Sequence, residues 1–196
     1  TKAADEQSAY PATVIGLASP TQGLLPNDVG DAGAVRSTSL RADLEGKLGT
    51  RFTSALTLGL LVRPLAGVGS RKTAAVFQKD TTFALGINDQ GFPTFDLAKT
   101  AQQMTGNDPI AIGDRALLVA TFDDKTQRIY VNAKVTERAN DAGTNAGLAA
   151  LCVGGKQPGC VVDQFVGVID EVFIADRAAS TPAVMQLVEL AGLAQK

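Results

Sequence analysis

Histidine and tryptophan are absent, and only two cysteines, two methionines and two tyrosines occur among 196 residues. Without histidine, Ser-His-Asp and Cys-His nucleophilic sites are excluded, as are imidazole-held zinc sites. The chemistry that remains belongs to carboxylates, lysine and tyrosine. Charged residues make up only 19% and the net charge is −2, with Lys and Arg scattered singly instead of forming the basic stripe that neutralises phosphates. That excludes nucleic acid as a partner. Apolar stretches such as 56–62 fall well short of the roughly 20 residues that cross a bilayer, so no membrane span is expected. A chain beginning at Thr1 reads as processed or trimmed, so any signal peptide would already be gone and its absence carries no information.

What is present is a chain 45% hydrophobic with 20 glycines, enough for one core-bearing domain. Residues 1–30, with Pro11, Pro20 and Pro26 among apolar patches, read as an extension or irregular first strand, and 31–196 as the domain proper. From residue 52 onward, short β-branched or apolar runs alternate with Gly, Pro, Asn and Asp, the pattern of sequential antiparallel strands. The clearest runs are 52–62, 73–78, 83–87, 115–122, 128–135, 148–153 and 165–175. Asn88-Asp89-Gln90-Gly91 and Asp123-Asp124-Lys125-Thr126 have hairpin-loop length. The run 117–122 is apolar on both parities and is expected to be a central strand, one face against a second sheet and the other under loops. One helix is expected at the C-terminus, with Ser180 or Thr181 as N-cap, Pro182 in the first turn, and Val184, Leu187, Val188 and Ala191 as its docking stripe.

Cys152 and Cys160 bracket a turn-rich Val-Gly-Gly-Lys-Gln-Pro-Gly. They read as a short disulfide loop, stabilising by roughly 2–3 kcal/mol and pointing to an oxidising, extracytoplasmic compartment. The alternative is two unrelated thiols, since neither has ligands nearby for a metal site.

The stretch Phe165-Val166-Gly167-Val168-Ile169-Asp170-Glu171-Val172-Phe173-Ile174 followed by Arg177-Ala178-Ala179-Ser180 resembles the closing signature of laminin-G-like, concanavalin A-like jelly-roll domains. Leu118 to Asp123 followed by Arg128-Ile129-Tyr130-Val131-Asn132 is similar to that family's hairpin ending in Y-V-N-G, and Leu56 to Pro64 to its early inner strand. Leu61, Ala133 and the absence of a Glu after Ser180 depart from the pattern. The resemblance spans about residues 50–190. It implies an all-β antiparallel jelly-roll sandwich with one short C-terminal helix. A regular strand would point Ile169 opposite to Val172 and Ile174; either a bulge at Asp170 and Glu171 keeps all three in one core or the strand is buried on both faces.

Related sandwiches include glycoside hydrolases, which carry E-x-D-x-E or E-x-D-x-x-E on one strand; neither pattern occurs, and Glu6, Glu45, Glu137, Glu171 and Glu189 are dispersed. An enzyme is therefore not expected. The resemblance also implies a Ca²⁺ site, with Asp170 and Asn132 as ligands and Asp28, Asp31 and Asp163 as helpers; the alternative is Asp170 hydrogen-bonding the adjacent backbone. The expected function is a secreted or surface module whose loop rim binds a protein or, less suited to a chain so poor in aromatics, a glycan. The second expectation is a structural subunit of an extracellular or particle-surface assembly bridged by residues 1–30; the alternative is that this segment lies along its own sandwich.

Overall fold

The computed structural model describes residues 2–3, 12–15, 39–42, 54–65, 73–79, 82–97, 103–140, 151–156 and 158–194. The strands are β1 (Lys2–Ala3), β2 (Ala12–Ile15), β3 (Ser39–Ala42), β4 (Leu56–Pro64), β5 (Thr73–Lys79), β6 (Phe83–Asn88), β7 (Pro93–Leu97), β8 (Met104–Thr105), β9 (Ala116–Phe122), β10 (Thr126–Val131), β11 (Lys134–Ala139), β12 (Leu151–Val153) and β13 (Gly167–Ala175), followed by helix α1 (Thr181–Leu190). All described pairings are antiparallel. They form an eight-stranded sheet, β1-β2-β3-β12-β5-β6-β7-β8, and a five-stranded sheet, β11-β10-β9-β4-β13. This is the jelly-roll sandwich expected from the sequence. Within the N-terminal segment, β2 pairs with β3 of the same chain.

The five-stranded sheet is apolar on both faces, which explains why 117–122 carries no alternation. Leu56, Leu58, Leu60 and Val62 of β4 join Leu118, Ala120 and Phe122 of β9 in the main core between the sheets. The other parity, Leu61, Leu117, Val119 and Tyr130, lies in a second cluster with Val184 and Val188 of α1 and its C-cap Ala191. The expectation of loops over that outer face is therefore corrected: the C-terminal helix covers it. Ser180 is the N-cap, accepting from the Ala183 N–H, and Pro182 stands where no intrahelical donor is needed.

Two further expectations are corrected, and one of two open alternatives is decided. The run 128–135 is not one strand: the chain reverses at Asn132 and Ala133, and β10 pairs with β11 from Val131–Lys134 to Thr126–Ala139. Asn132 takes the positive φ of +55° and Ala133 does not, so the absence of the family's glycine at 133 carries no backbone cost. β4 begins at Leu56 and β13 at Gly167, later than the runs from 52 and 165, although 52 and 53 lie outside the described residues. Lastly, β13 carries the bulge. Asp170 pairs with Leu61 and Phe173 with Gly59, leaving Glu171 (φ +49°) and Val172 opposite one residue. The added residue returns Ile174 to the main core beside Ile169, but Val172 is exposed and joins neither cluster.

Candidate functional site

One end of the sandwich gathers the connections at 64–65, 89–92, 106–115, 132–133 and 154–166. Backbone hydrogen bonds tie them together: Gly113 N to Pro64 O (2.7 Å), Leu65 N to Val166 O (3.0 Å), Ile110 N to Gly91 O (2.9 Å) and Asn132 N to Leu117 O (2.9 Å). The turn at Asn88 is set by its own carboxamide, whose Oδ1 accepts from Gln90 N (3.0 Å) and Phe92 N (2.9 Å). The end of α1 joins the same rim through Arg115 Nη2, which donates to Gly192 O at 3.4 Å.

Seven large apolar side chains are exposed among the described residues: Leu65, Ile112 (62%), Val135, Val161, Val162, Val172 and Leu190 (76%). Leu65, Ile112, Val161 and Val162 lie on the loops of this rim, and Leu190 ends the helix that reaches it. The opposite rim, where β9 turns into β10 and β13 leads to α1, exposes none of them. There Asp123 Oδ1 accepts from Lys125 N (3.2 Å) and Thr126 N (2.8 Å). Arg128 donates to Asp123 Oδ2 at 2.7 Å and to Glu137 Oε2 at 3.2 Å. The guanidinium's hydrogen bond holds the Asp123 carboxyl below the usual carboxylate range, and the carboxylate raises Arg128 in return.

The residues proposed for Ca²⁺ lie apart, Asn132 and Asp163 on loops of the first rim and Asp170 within β13. Asp170, Leu61, Leu117 and Asn132 form a row across the sheet. Two strands thus separate Asp170 from Asn132, a gap of three strand spacings or roughly 14 Å. Asp170 Oδ1 accepts from Glu171 N (3.0 Å) at the bulge, and Asn132 Oδ1 accepts from Leu117 N (2.9 Å). Asp163 receives Lys156 Nζ at 3.3 Å. Asp28 and Asp31 lie outside the described residues. Among the described residues no group of three or more Cys, Asp or Glu side chains is placed to hold a metal, so Asp170 and Asn132 together do not fit a calcium site, which needs six to eight converging oxygens.

Cys152 and Cys160 are joined, with a Cα–Cα distance of 5.3 Å. This ties β12, which lies between β3 and β5, to the rim loop carrying Val161 and Val162. Tyr130 is fully buried, its hydroxyl 3.0 Å from Thr181 Oγ1, and offers no face to a sugar. Tyr10 lies outside the described residues. Sequence reasoning did not single out the apolar rim. Its one legible signal was hydrophobic residues directly beside turn residues, Ile112 before Gly113-Asp114 and Val161-Val162 after Gly159-Cys160.

Two packed antiparallel sheets with a loop-built rim and a helix on one outer face define a lectin-type β-sandwich. A model of the concanavalin A-like lectin/glucanases superfamily, of laminin-G type, matches residues 37–185, and the chain belongs to that family. No curated protein matches it in sequence. Among solved structures it is similar to domain 4 of AbnA, a GH43 extracellular arabinanase from Geobacillus stearothermophilus, in complex with arabinotriose. The TM-score is 0.65 at 17% identity, over 96% of this chain and 92% of that one. It is also similar to the binding domain of botulinum neurotoxin DC in complex with rat synaptotagmin II, with TM-score 0.68 and 10% identity over 96% and 50%. A third is the heptameric SAP-like pentraxin of Limulus polyphemus, with TM-score 0.55 and 14% identity over 69% and 70%. The chain spans about half the length of several matched structures, 48–51%. At these identities the likeness is one of fold.

Proposed function

We propose that this chain is a non-catalytic binding module that takes a protein ligand on its loop rim, outside the cytoplasm. The observation that carries the proposal is the one-sided distribution of exposed aliphatic side chains: Leu65, Ile112, Val161, Val162 and Leu190 at one end, none at the other among the described residues. Scattered single apolar residues need no explanation, but a set converging on one rim marks an interaction surface. The set contains no aromatic ring, which favours protein over sugar, since flat rings are what stack on pyranose faces. Absence of histidine and dispersal of the carboxylates support a non-catalytic role. The disulfide supports an oxidising compartment. Similar folds in structures solved with arabinotriose, SialylT and synaptotagmin are compatible with either ligand class, and the aliphatic rim is what favours a protein.

Selection of a random-peptide display library on the immobilised chain tests the proposal. Recovered peptides should bind the wild type and lose at least about tenfold in affinity, about 1.4 kcal/mol, with Ile112→Asp, while Lys125→Asp at the opposite rim changes nothing. Peptides indifferent to Ile112→Asp would remove the rim from the argument. A selective glycan-array hit with Kd below about 10 μM would reverse the preference for protein.

A further inference from the structure

The loop that joins β12 to β13 holds its backbone against ordinary preference. Cys160 has φ +63° and Asp163 φ +46°, and Gly159 before them has φ +69°. This left-handed region crowds a β-carbon; glycine adopts it freely and Asp at times, but it is costly for Cys160. Val161 and Val162, two of the exposed aliphatic residues of the rim, stand between these two left-handed positions. What holds them is visible. Lys156 and Val162 exchange backbone hydrogen bonds of 2.7 and 3.2 Å, and Phe165 N donates to Gly154 O at 3.0 Å. Lys156 Nζ reaches Asp163 Oδ2 at 3.3 Å, and the disulfide anchors Cys160 to Cys152. Cys152 is the fixed end of that link, since β12 is paired on both sides, with β3 and β5.

We infer that the Cys152–Cys160 disulfide is the positioning device of the rim: it keeps Cys160 in left-handed backbone and so fixes Val161 and Val162, and its reduction releases that part of the rim while the sandwich stays folded. The inference rests on the proposed reading of the rim as a ligand surface, but the release is a property of the loop alone. A dithiol supplies the two electrons and two protons, the S–S bond breaks into two thiols, and the reductant ends as its own disulfide. Cys160 then relaxes toward ordinary backbone and draws the Val162–Lys156 bridge apart. The ladders of β12 with β3 and β5 and the core residues Leu151 and Val153 do not depend on the sulfur link.

Hydrogen exchange on the full chain, oxidised and after reduction verified by thiol titration, reads this without any ligand. Amides of Lys156, Val162 and Phe165 should exchange at least about tenfold faster on reduction, with Leu118 and Val119 of β9 unchanged. The paired variants C152A/C160G and C152A/C160A separate the backbone conformation from the link. Glycine accepts the native φ, so its loop should remain about five- to thirty-fold better protected than the alanine one. Unchanged loop exchange on reduction overturns the inference. So does acceleration of β9 together with the loop, which would make the disulfide a general stabiliser, and so does equal protection in the two variants. None of these outcomes bears on the peptide-binding test, which stands or falls on Ile112.

Discussion

The ring of Phe173 lies on the Cα of Gly59, its partner across the β4–β13 ladder: a β-carbon built at Gly59 would stand 2.0 Å from Phe173 Cζ. The bulge at Glu171 and Val172 turns Phe173 to the helix-covered face, where it packs against the second cluster, and glycine is what makes room for the ring. Gly59→Ala should therefore destabilise by about 1–3 kcal/mol through overpacking. The double change with Phe173→Ala should cost less than the sum of the single changes. Denaturant unfolding of the four proteins measures this, and additive costs would show that ring and glycine are not coupled.

Thr57 holds the strap that leads into the helix. Its Oγ1 donates to Arg177 O at 2.7 Å and accepts from Ala179 N at 2.8 Å, and the residue is buried. Thr57→Val keeps the shape and leaves both backbone groups without this partner, at an expected cost of about 1–3 kcal/mol, whereas Thr57→Ser should cost markedly less. Thermal unfolding distinguishes them. Equal loss in both variants would assign the effect to packing of the methyl group.

The Asp123–Arg128 pair predicts an acid dependence. The folded carboxyl lies below its ordinary value because Arg128 hydrogen-bonds it, so its stabilisation is complete above the unfolded pKa of about 3.9 and is lost as pH falls through the depressed folded value. The pair is partly exposed, which limits the effect to about 1 kcal/mol or less. Asp123→Asn should flatten the stability curve below about pH 4 and leave its shape near neutrality unchanged. A parallel curve for the variant would mean that other carboxylates set the acid limb.

Calcium at millimolar concentration should leave the unfolding temperature unchanged, because Asp170 and Asn132 lie two strands apart and each accepts a backbone N–H. Scanning calorimetry with Ca²⁺ and with chelator checks this. A reproducible rise with Ca²⁺ that Asp170→Asn abolishes would place the ion at the bulge after all.

Local signals in the sequence determined the all-β class, the hairpins at Asn88 and Asp123, the helix from Ser180 with its Val184–Val188 stripe, and the resemblance carried by Gly167 to Ile174. Each rests on residues near one another in the chain: turn formers, a capping hydroxyl, a period of two or of 3.6. Tertiary structure alone decided the rest. Residues 128–135 look like a single β-branched and apolar run broken only at Asn132 and Lys134, and the pairing of Tyr130 with Val135 shows that the chain reverses inside it. Burial on both faces of β9 required a helix from the far end of the chain, because periodicity reports that a face is covered but not by what. Leu65, Ile112, Val161 and Leu190 resemble core residues in the sequence, and they become a surface because backbone hydrogen bonds bring their separate loops to one rim. Convergence of that kind depends on strand register and topology, which no window of neighbouring residues encodes.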